Sequence, residues 1–259
     1  MPYRINPYGG TKMNERLKKW SGSAAIVQGL GVFVGSSGHN VEHRHWAHQI
    51  SIALEDEIVI SSGKVTVKGS ALFIPANTPH ALHPSLTLTL YLDPNSTLAK
   101  SIVGNIGNLN SICQLNSKIQ NQITDCFKNI DKLESSFQAL QQTFMKSITN
   151  NSDDRLTKVL SRLDDIYSGD TVTRDELAAH VSLSPSRFSH WFKEKTGMPL
   201  RSYKKWLHLV HGIELILTNN NIQSAAYGSN FADQAHFSRT FKQAFGLSPA
   251  LALSNINRT

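Results

Sequence analysis

The chain has 259 residues, 40% hydrophobic and 17% charged, with a formal net charge of +7; that is too long for one small helical module and ordinary for a globular protein of two domains. No apolar run approaches membrane-spanning length, and the polar stretch Met1–Trp20 lacks the apolar core of a signal peptide, so a cytoplasmic protein with no membrane partner is expected. Two cysteines, Cys113 and Cys126, are too few for a disulfide framework and wrongly spaced for a zinc module, while the basic balance suits an anionic partner, nucleic acid being the commonest.

From about Ala24 to Leu92 the chain reads as strands. Ala25-Ile26-Val27 and Val32-Phe33-Val34 are short β-rich runs parted by glycine. Glu57 to Lys68 holds two alternating runs around Ser61-Ser62-Gly63, a hairpin signal. Leu86 to Leu92 alternates leucine with threonine and tyrosine. Short strands at this spacing predict a sandwich or barrel.

Six of the eleven histidines lie between His39 and His83. On a strand, His43 and His45 point the same way, and Gln49 shares their parity. The segment Gly69-Ser70-Ala71-Leu72-Phe73-Ile74-Pro75-Ala76-Asn77-Thr78-Pro79-His80 resembles the second motif of cupin barrels. His43-Arg44-His45 and Gln49 resemble the first, with glutamine where cupins typically carry glutamate. The resemblance implies a jelly-roll β-barrel in which His43, His45, Gln49 and His80 converge. Three readings stay open for that set. It binds a divalent metal through His43, His45 and His80, it binds a small organic effector through neutral imidazoles, or it is a polar network without ligand. Glutamine removes a negative ligand and so weakens the metal reading. His48 has the opposite parity, Pro84 follows His83, and both stay outside the set.

Ile123, Cys126, Phe127, Ile130, Leu133, Phe137, Leu140 and Phe144 then recur at steps of three and four, one helical stripe. It must be buried, either on the β-domain or against a second copy of the chain. Thr149 to Asp154 is a polar break and the expected domain boundary. Asp153 or Asp154 caps a following helix whose stripe is Leu156, Val159, Leu160, Leu163 and Ile166. From there the chain is predicted to stay helical to its end. This part carries ten Lys/Arg against five Asp/Glu from Thr171 onward.

An internal repeat marks this region. Arg187 to Gly197 (RFSHWFKEKTG) matches His236 to Gly246 (HFSRTFKQAFG) at an offset of 49 residues. Phe188/Phe237, Ser189/Ser238, Phe192/Phe241, Lys193/Lys242 and Gly197/Gly246 are identical pairs. The phenylalanines, four apart, share a buried helix face, and each glycine ends its helix. Ser184 with Pro185, and Asp233, are the predicted N-caps. A shorter helix precedes each copy, Glu176 to His180 and Ile222 to Tyr227, with small Ala178 and Ala226 for close crossing. Such pairs are helix-turn-helix units, whose second helix enters the major groove. Between them Tyr203, Trp206, Leu207, Val210, Ile213 and Leu217 form the stripe of one stiff connecting helix.

The segments LAAHVSLSPSRFSHWFKEKTGMPL, YKKWLHLVHGIELIL and FADQAHFSRTFKQAFGLSP resemble the AraC/XylS family of transcription regulators over about residues 154–253. The family often has Arg and Ala where this chain has His208 and Gly212, which is expected to loosen the connector. Asn230 stands where the second turn usually has Gly. By that resemblance and helix geometry, Ser186, Arg187, Ser189 and His190 are the first reading face, and Gln234, His236 and Arg239 the second. Arginine pairs with guanine and glutamine with adenine. Lys193 and Lys242 are expected on phosphate.

The reading is therefore a multidomain chain. Residues 1–95 are a cupin-like effector-sensing barrel, 96–150 a helical linker and dimerisation segment, and 151–259 an all-α DNA-binding domain with two helix-turn-helix units. Its expected partners are double-stranded promoter or operator DNA, a small-molecule or metal effector, RNA polymerase and a second copy of itself. The rival is a cupin-type metalloenzyme whose helical tail serves assembly. No nucleophile triad, phosphate loop or paired-carboxylate arrangement is present to propose, so the chain is expected not to be an enzyme.

Overall fold

The computed structural model describes residues 20–107, 109–128, 133–145, 154–165, 172–219, 221–254 and 256–258. Its strands are β1 (Ser21–Val27), β2 (Leu30–Ser37), β3 (His48–Ala53), β4 (Ile58–Ser62), β5 (Val65–Gly69), β6 (Ala71–Ile74), β7 (Ala81–Leu82), β8 (Ser85–Leu92), β9 (Cys113–Gln114) and β10 (Ile256–Arg258). Its helices are α1 (Thr97–Val103), α2 (Ser117–Cys126), α3 (Leu133–Met145), α4 (Asp154–Asp164), α5 (Arg174–His180), α6 (Pro185–Thr196), α7 (Leu200–Asn219), α8 (Ile222–Gly228), α9 (Gln234–Phe245) and α10 (Pro249–Leu253). No helix among the described residues is long and apolar enough to cross a membrane.

The N-terminal part is sheet-rich. Seven strands run in the order β10-β1-β2-β8-β3-β6-β9, and β5-β4-β7 form a second sheet. The expected barrel is thus an open sandwich: among the described residues no ladder joins the two sheets. The reason lies in what covers the long sheet. On β8, Leu88, Leu90 and Leu92 join Ile50, Ile52 and Phe73 in a core completed by helices α1, α2 and α3. The opposite face of the same strands pairs Gln49 with Tyr91 and Ser51 with Thr89. There Thr87 and Thr89 are also buried, and Leu72 and Ile74 pack against Ile58 and Ile60 of the small sheet. The alternation in β8 therefore separates two buried faces.

The stripe of α2 and α3 belongs to this same core. Ile119, Ile123, Phe127, Leu133, Phe137, Leu140 and Phe144 are all buried in it, which removes them as a dimer face. Ile130 lies outside the described residues, as do most of the polar break and Asp153; Asp154 opens α4. On α4, Leu156, Val159 and Leu163 are buried; Ile166 lies outside the described residues.

Among the described residues the C-terminal part is helical with one exception. The last residues leave the helical pattern, and β10 pairs parallel to β1, Gly22 opposite Ile256. A three-residue strand has no periodicity to read, and the open edge of β1 supplies its hydrogen bonds. The connector α7 runs unbroken over 20 residues, so His208 and Gly212 do not loosen it. Gly212 is instead a point of close approach. A Cβ there would lie 2.5 Å from the Phe237 ring and 2.7 Å from Ser229 Oγ.

Candidate functional site: paired reading helices and an imidazole cluster

Each helix-turn-helix unit is fixed by local chemistry. In the first, Thr173 and Glu176 form a capping box on α5. Ser184 caps α6, with Pro185 at its first turn. In the second, Asn221 caps α8 and Asp233 caps α9. The turns between the helices need a left-handed residue, supplied by Ser182 (φ 56°) and Asn230 (φ 61°). Sequence reading found Asn230 but missed Ser182, since serine is not enriched in that region of backbone space. Ala178 and Ala226 are fully buried at the crossings. Phe188 and Phe192 anchor one unit, Phe237 and Phe241 the other.

Those anchors leave the opposite faces in solvent. Ser186, Arg187, Ser189, His190 and Lys193 are exposed on α6, as are Gln234, Arg239 and Lys242 on α9. His236 is half-buried, its ring edge-on to Phe231 at 5.1 Å. Ser189 Oγ donates to the Pro185 carbonyl within its own helix.

The histidines come together in the N-terminal part. His43-Arg44-His45 is not a regular strand; it lies in the loop between β2 and β3. A two-bond bridge holds His43 opposite His80, with His43 N to His80 O at 3.0 Å and the reverse bond at 2.8 Å. His43, His45, Gln49 and His80 are all buried. One candidate ligand atom from each histidine lies within 4.8 Å of the others. His48 faces away, its ring tilted against Phe73 and accepting from Ala76 N; His83 is exposed and bonds Ser61.

The tautomers follow from the partners. His43 Nδ1 faces the Val41 carbonyl at 3.0 Å, His45 Nδ1 that of Ala47 at 2.9 Å, and His80 Nδ1 that of Thr78 at 2.8 Å. A carbonyl only accepts, so each Nδ1 carries the proton and donates it. Burial, with repulsion from His80, pushes His43 down to about 3, and burial holds His45 and His80 below the usual imidazole range as well. The rings are therefore neutral, and each Nε2 is a lone pair. Those of His45 and His80 both lie 3.0 Å from Gln49 Oε1, itself an acceptor. Two arrangements relieve this conflict. A cation can lie among the three atoms, or the amide can turn so that its NH2 donates to both rings while Oε1 accepts from Ser51, now 2.9 Å from Gln49 Nε2. Buried imidazoles with Nδ1 tied to carbonyls are oriented as metal ligands are, so the set fits a divalent ion.

The cluster touches the reading helices. Val41 N donates to the carbonyl of Gly246, which ends α9, at 3.0 Å. A Cβ on Gly246 would lie 2.8 Å from His43 Nδ1. A Cβ on Gly197, which ends α6, would lie 3.2 Å from Trp46. Both helix ends thus rest on the loop that carries His43 and His45. Arg239 and Lys242 line a cleft together with His43, Arg44 and His45.

Comparison with known proteins agrees with this anatomy. Residues 177–253 match a family model described as a helix-turn-helix domain. The arabinose operon regulatory protein of Escherichia coli is 29% identical over 123 residues, which cover 47% of this chain and 42% of that protein. The transcriptional activator RhaS of Yersinia pestis is 32% identical over 111 residues, 42% of this chain and 40% of that protein. The match spans less than half the length of these relatives. Over the whole chain, ToxT from Vibrio cholerae has a similar fold. One of its structures covers 90% of this chain and 99% of its own at 13% identity, with a TM-score of 0.55. Residues 177–253 are accordingly a helix-turn-helix domain, similar in sequence to parts of the arabinose operon regulator and RhaS.

Proposed function

We propose that this protein is a sequence-specific DNA-binding transcription regulator and that its effector site is the cluster His43, His45, Gln49 and His80. Two exposed reading faces on a rigid connector support the DNA-binding half. The relatives named as an operon regulator and a transcriptional activator support it too. A structure of ToxT is described as holding an unsaturated fatty acid, which supports control by a ligand in this fold. Residues 1–95 are the sensing part, 96–150 the helical link and 151–259 the DNA-binding part. RNA polymerase, a second copy of the chain and a cytoplasmic location complete the reading.

The observation that carries the coupling is the shared loop. Gly197 and Gly246, at the ends of both reading helices, meet residues 41–46. A divalent ion drawn in by His43, His45 and His80 pulls the rings together and moves that loop. Both helix ends then shift with it, which alters the spacing of the reading faces.

The test is sequencing of genomic fragments retained by the purified full-length protein, with and without added Zn²⁺ or Ni²⁺. The expected result is one recurrent two-part motif whose halves lie about one helical turn apart. Binding should fall steeply with salt. The ion should change affinity in the wild type and have no effect on His80→Ala, which still binds the motif. Absence of any recurrent motif overturns the regulator reading. A motif bound equally with and without ions overturns the metal effector alone.

A further inference from the structure

A cavity of about 1070 Å³ separates the two domains. All six residues of the α7 stripe, Tyr203, Trp206, Leu207, Val210, Ile213 and Leu217, line it. In the second unit α7 buries Leu209, Gly212 and Ile216, with Trp206 and Ile213 of the stripe packed against the same cluster, while Tyr203 and Leu207 belong to the first unit's core. The helix is thus apolar around much of its girth, and its stripe both joins the two unit cores and fronts a chamber of ligand size.

One end of the chamber is polar. Asp93, at the end of β8, accepts from Asn95 N at 2.8 Å and from the Tyr203 hydroxyl at 3.3 Å. Asp164, from α4, accepts from the side-chain amide of Gln28. Burial raises both carboxyls above the usual range, and the neighbouring Asp93 adds to the rise at Asp164, which stands at about 6. The Asn95 side chain is buried in the same corner, beside the Asp93 carboxyl. Lys100 also lines the chamber, but it is exposed at the rim. The chamber also has aromatic walls, with Tyr91, Trp206 and Phe245 on the side of His45.

We propose that this cavity binds an amphipathic organic cation, its apolar body against the α7 stripe and its nitrogen between Asp93 and Asp164. Among the described residues two carboxyl groups, Asp93 and Asp164, face this chamber against one lysine, Lys100 at its rim, and a ligand nitrogen supplies the second positive charge. Aromatic faces attract a desolvated cation by their quadrupole. A ligand carboxylate would meet the two acids instead. The Asn95 amide, by turning, offers Oδ1 to an N–H of the ligand. The chamber shares a wall with the imidazole cluster, since Tyr91, Trp206 and Phe245 also pack against His45, but none of the cluster's histidines lines it and its ligand does not depend on a metal there. The ligand class goes beyond the regulator reading.

The test is thermal unfolding of the full-length protein in EDTA at about pH 7.5, where an alkylamine is charged. The probes are decylamine, decanol and decanoate at one concentration below micelle formation. Decylamine is expected to raise Tm by several degrees, decanol by less, and decanoate not at all. Asp93→Asn and Asp164→Asn should each reduce the amine shift to that of decanol. Val210→Trp, which fills the chamber from α7, should abolish both shifts. A decanoate shift equal to that of decylamine overturns the proposal. So does an amine advantage that survives both Asp substitutions, or no rise in Tm with any probe. DNA binding is not the readout, so failure here leaves the regulator reading standing.

Discussion

Gly197 and Gly246 end the two reading helices in the same left-handed conformation, φ 79° and 73°, and both rest on the loop between β2 and β3. Left-handed backbone costs a residue with a Cβ about 1–2 kcal/mol. At Gly246 a Cβ would also lie 2.3 Å from the backbone oxygen of Val41, which has no freedom to step aside. At Gly197 it meets only the edge of the Trp46 ring at 3.2 Å. Gly246→Ala should therefore lower stability by more than about 2 kcal/mol, and Gly197→Ala by less. Denaturant unfolding of both variants reads the order directly, and the reverse order would contradict the docking described above.

Gly212 presents the opposite sign conflict. Alanine in mid-helix is favoured over glycine by about 1 kcal/mol. Overpacking against Phe237 and Ser229 costs about 1–3 kcal/mol. Approaches of 2.5 Å to the Phe237 ring and 2.7 Å to Ser229 Oγ are too short to absorb without moving α9, so Gly212→Ala should be destabilising on balance. A variant that melts above the wild type would show that the second unit is packed loosely.

On DNA, Arg239 and Lys242 should behave differently although both are exposed on α9. Arg239→Ala is expected to cost about 1–3 kcal/mol and to relax preference at one base pair. Lys242→Ala should weaken all sequences alike and reduce the salt slope by about one. Fluorescence anisotropy against a panel of single-base variants at several salt concentrations separates the two behaviours. Equal loss on every sequence for Arg239→Ala would make it a phosphate contact.

Asp164 predicts a pH dependence. Its folded carboxyl is raised to about 6, chiefly by burial, above the 3.8 of an ordinary aspartate. Between those values the folded state holds a proton that the unfolded chain has released, so stability falls as pH rises from about 4 to about 6. The Gln28 hydrogen bond opposes this in part. Melting temperatures across that window should decline in the wild type and decline less in Asp164→Asn. Parallel curves would place the titration elsewhere.

Gln49→Glu supplies the cluster with a negative ligand in place of a neutral one. It should tighten binding of Zn²⁺ or Ni²⁺ by about tenfold or more, since a carboxylate contributes charge that an amide does not. Without metal the same variant should be less stable, because a carboxylate at a position only 2% exposed lacks a counter-ion. Titration calorimetry and melting with and without the ion test both halves. A variant unaffected by either would mean that no cation enters among these rings.

Much of the C-terminal domain was legible in the sequence because its determinants are local. Caps at Ser184 and Asp233, terminal glycines at Gly197 and Gly246 and phenylalanines four apart each act within a turn or two of their own helix. The approach of His43, His45, Gln49 and His80 was also readable, since two short motifs carried it, although the strand expected at residues 43–45 is a loop. Other features depended on partners distant in the chain. Which face of α7 meets its own domain and which lines the cavity was decided by where α8, α9 and the sheet lie, because an apolar stripe does not say what will cover it. The open sandwich was decided by helices α1–α3 occupying one face of the long sheet. Strand β10 exists only because the edge of β1 was free to receive it. The contact of both reading helices with one loop needed the whole fold, since nothing in residues 40–46 alone names Gly197 or Gly246 as its neighbours.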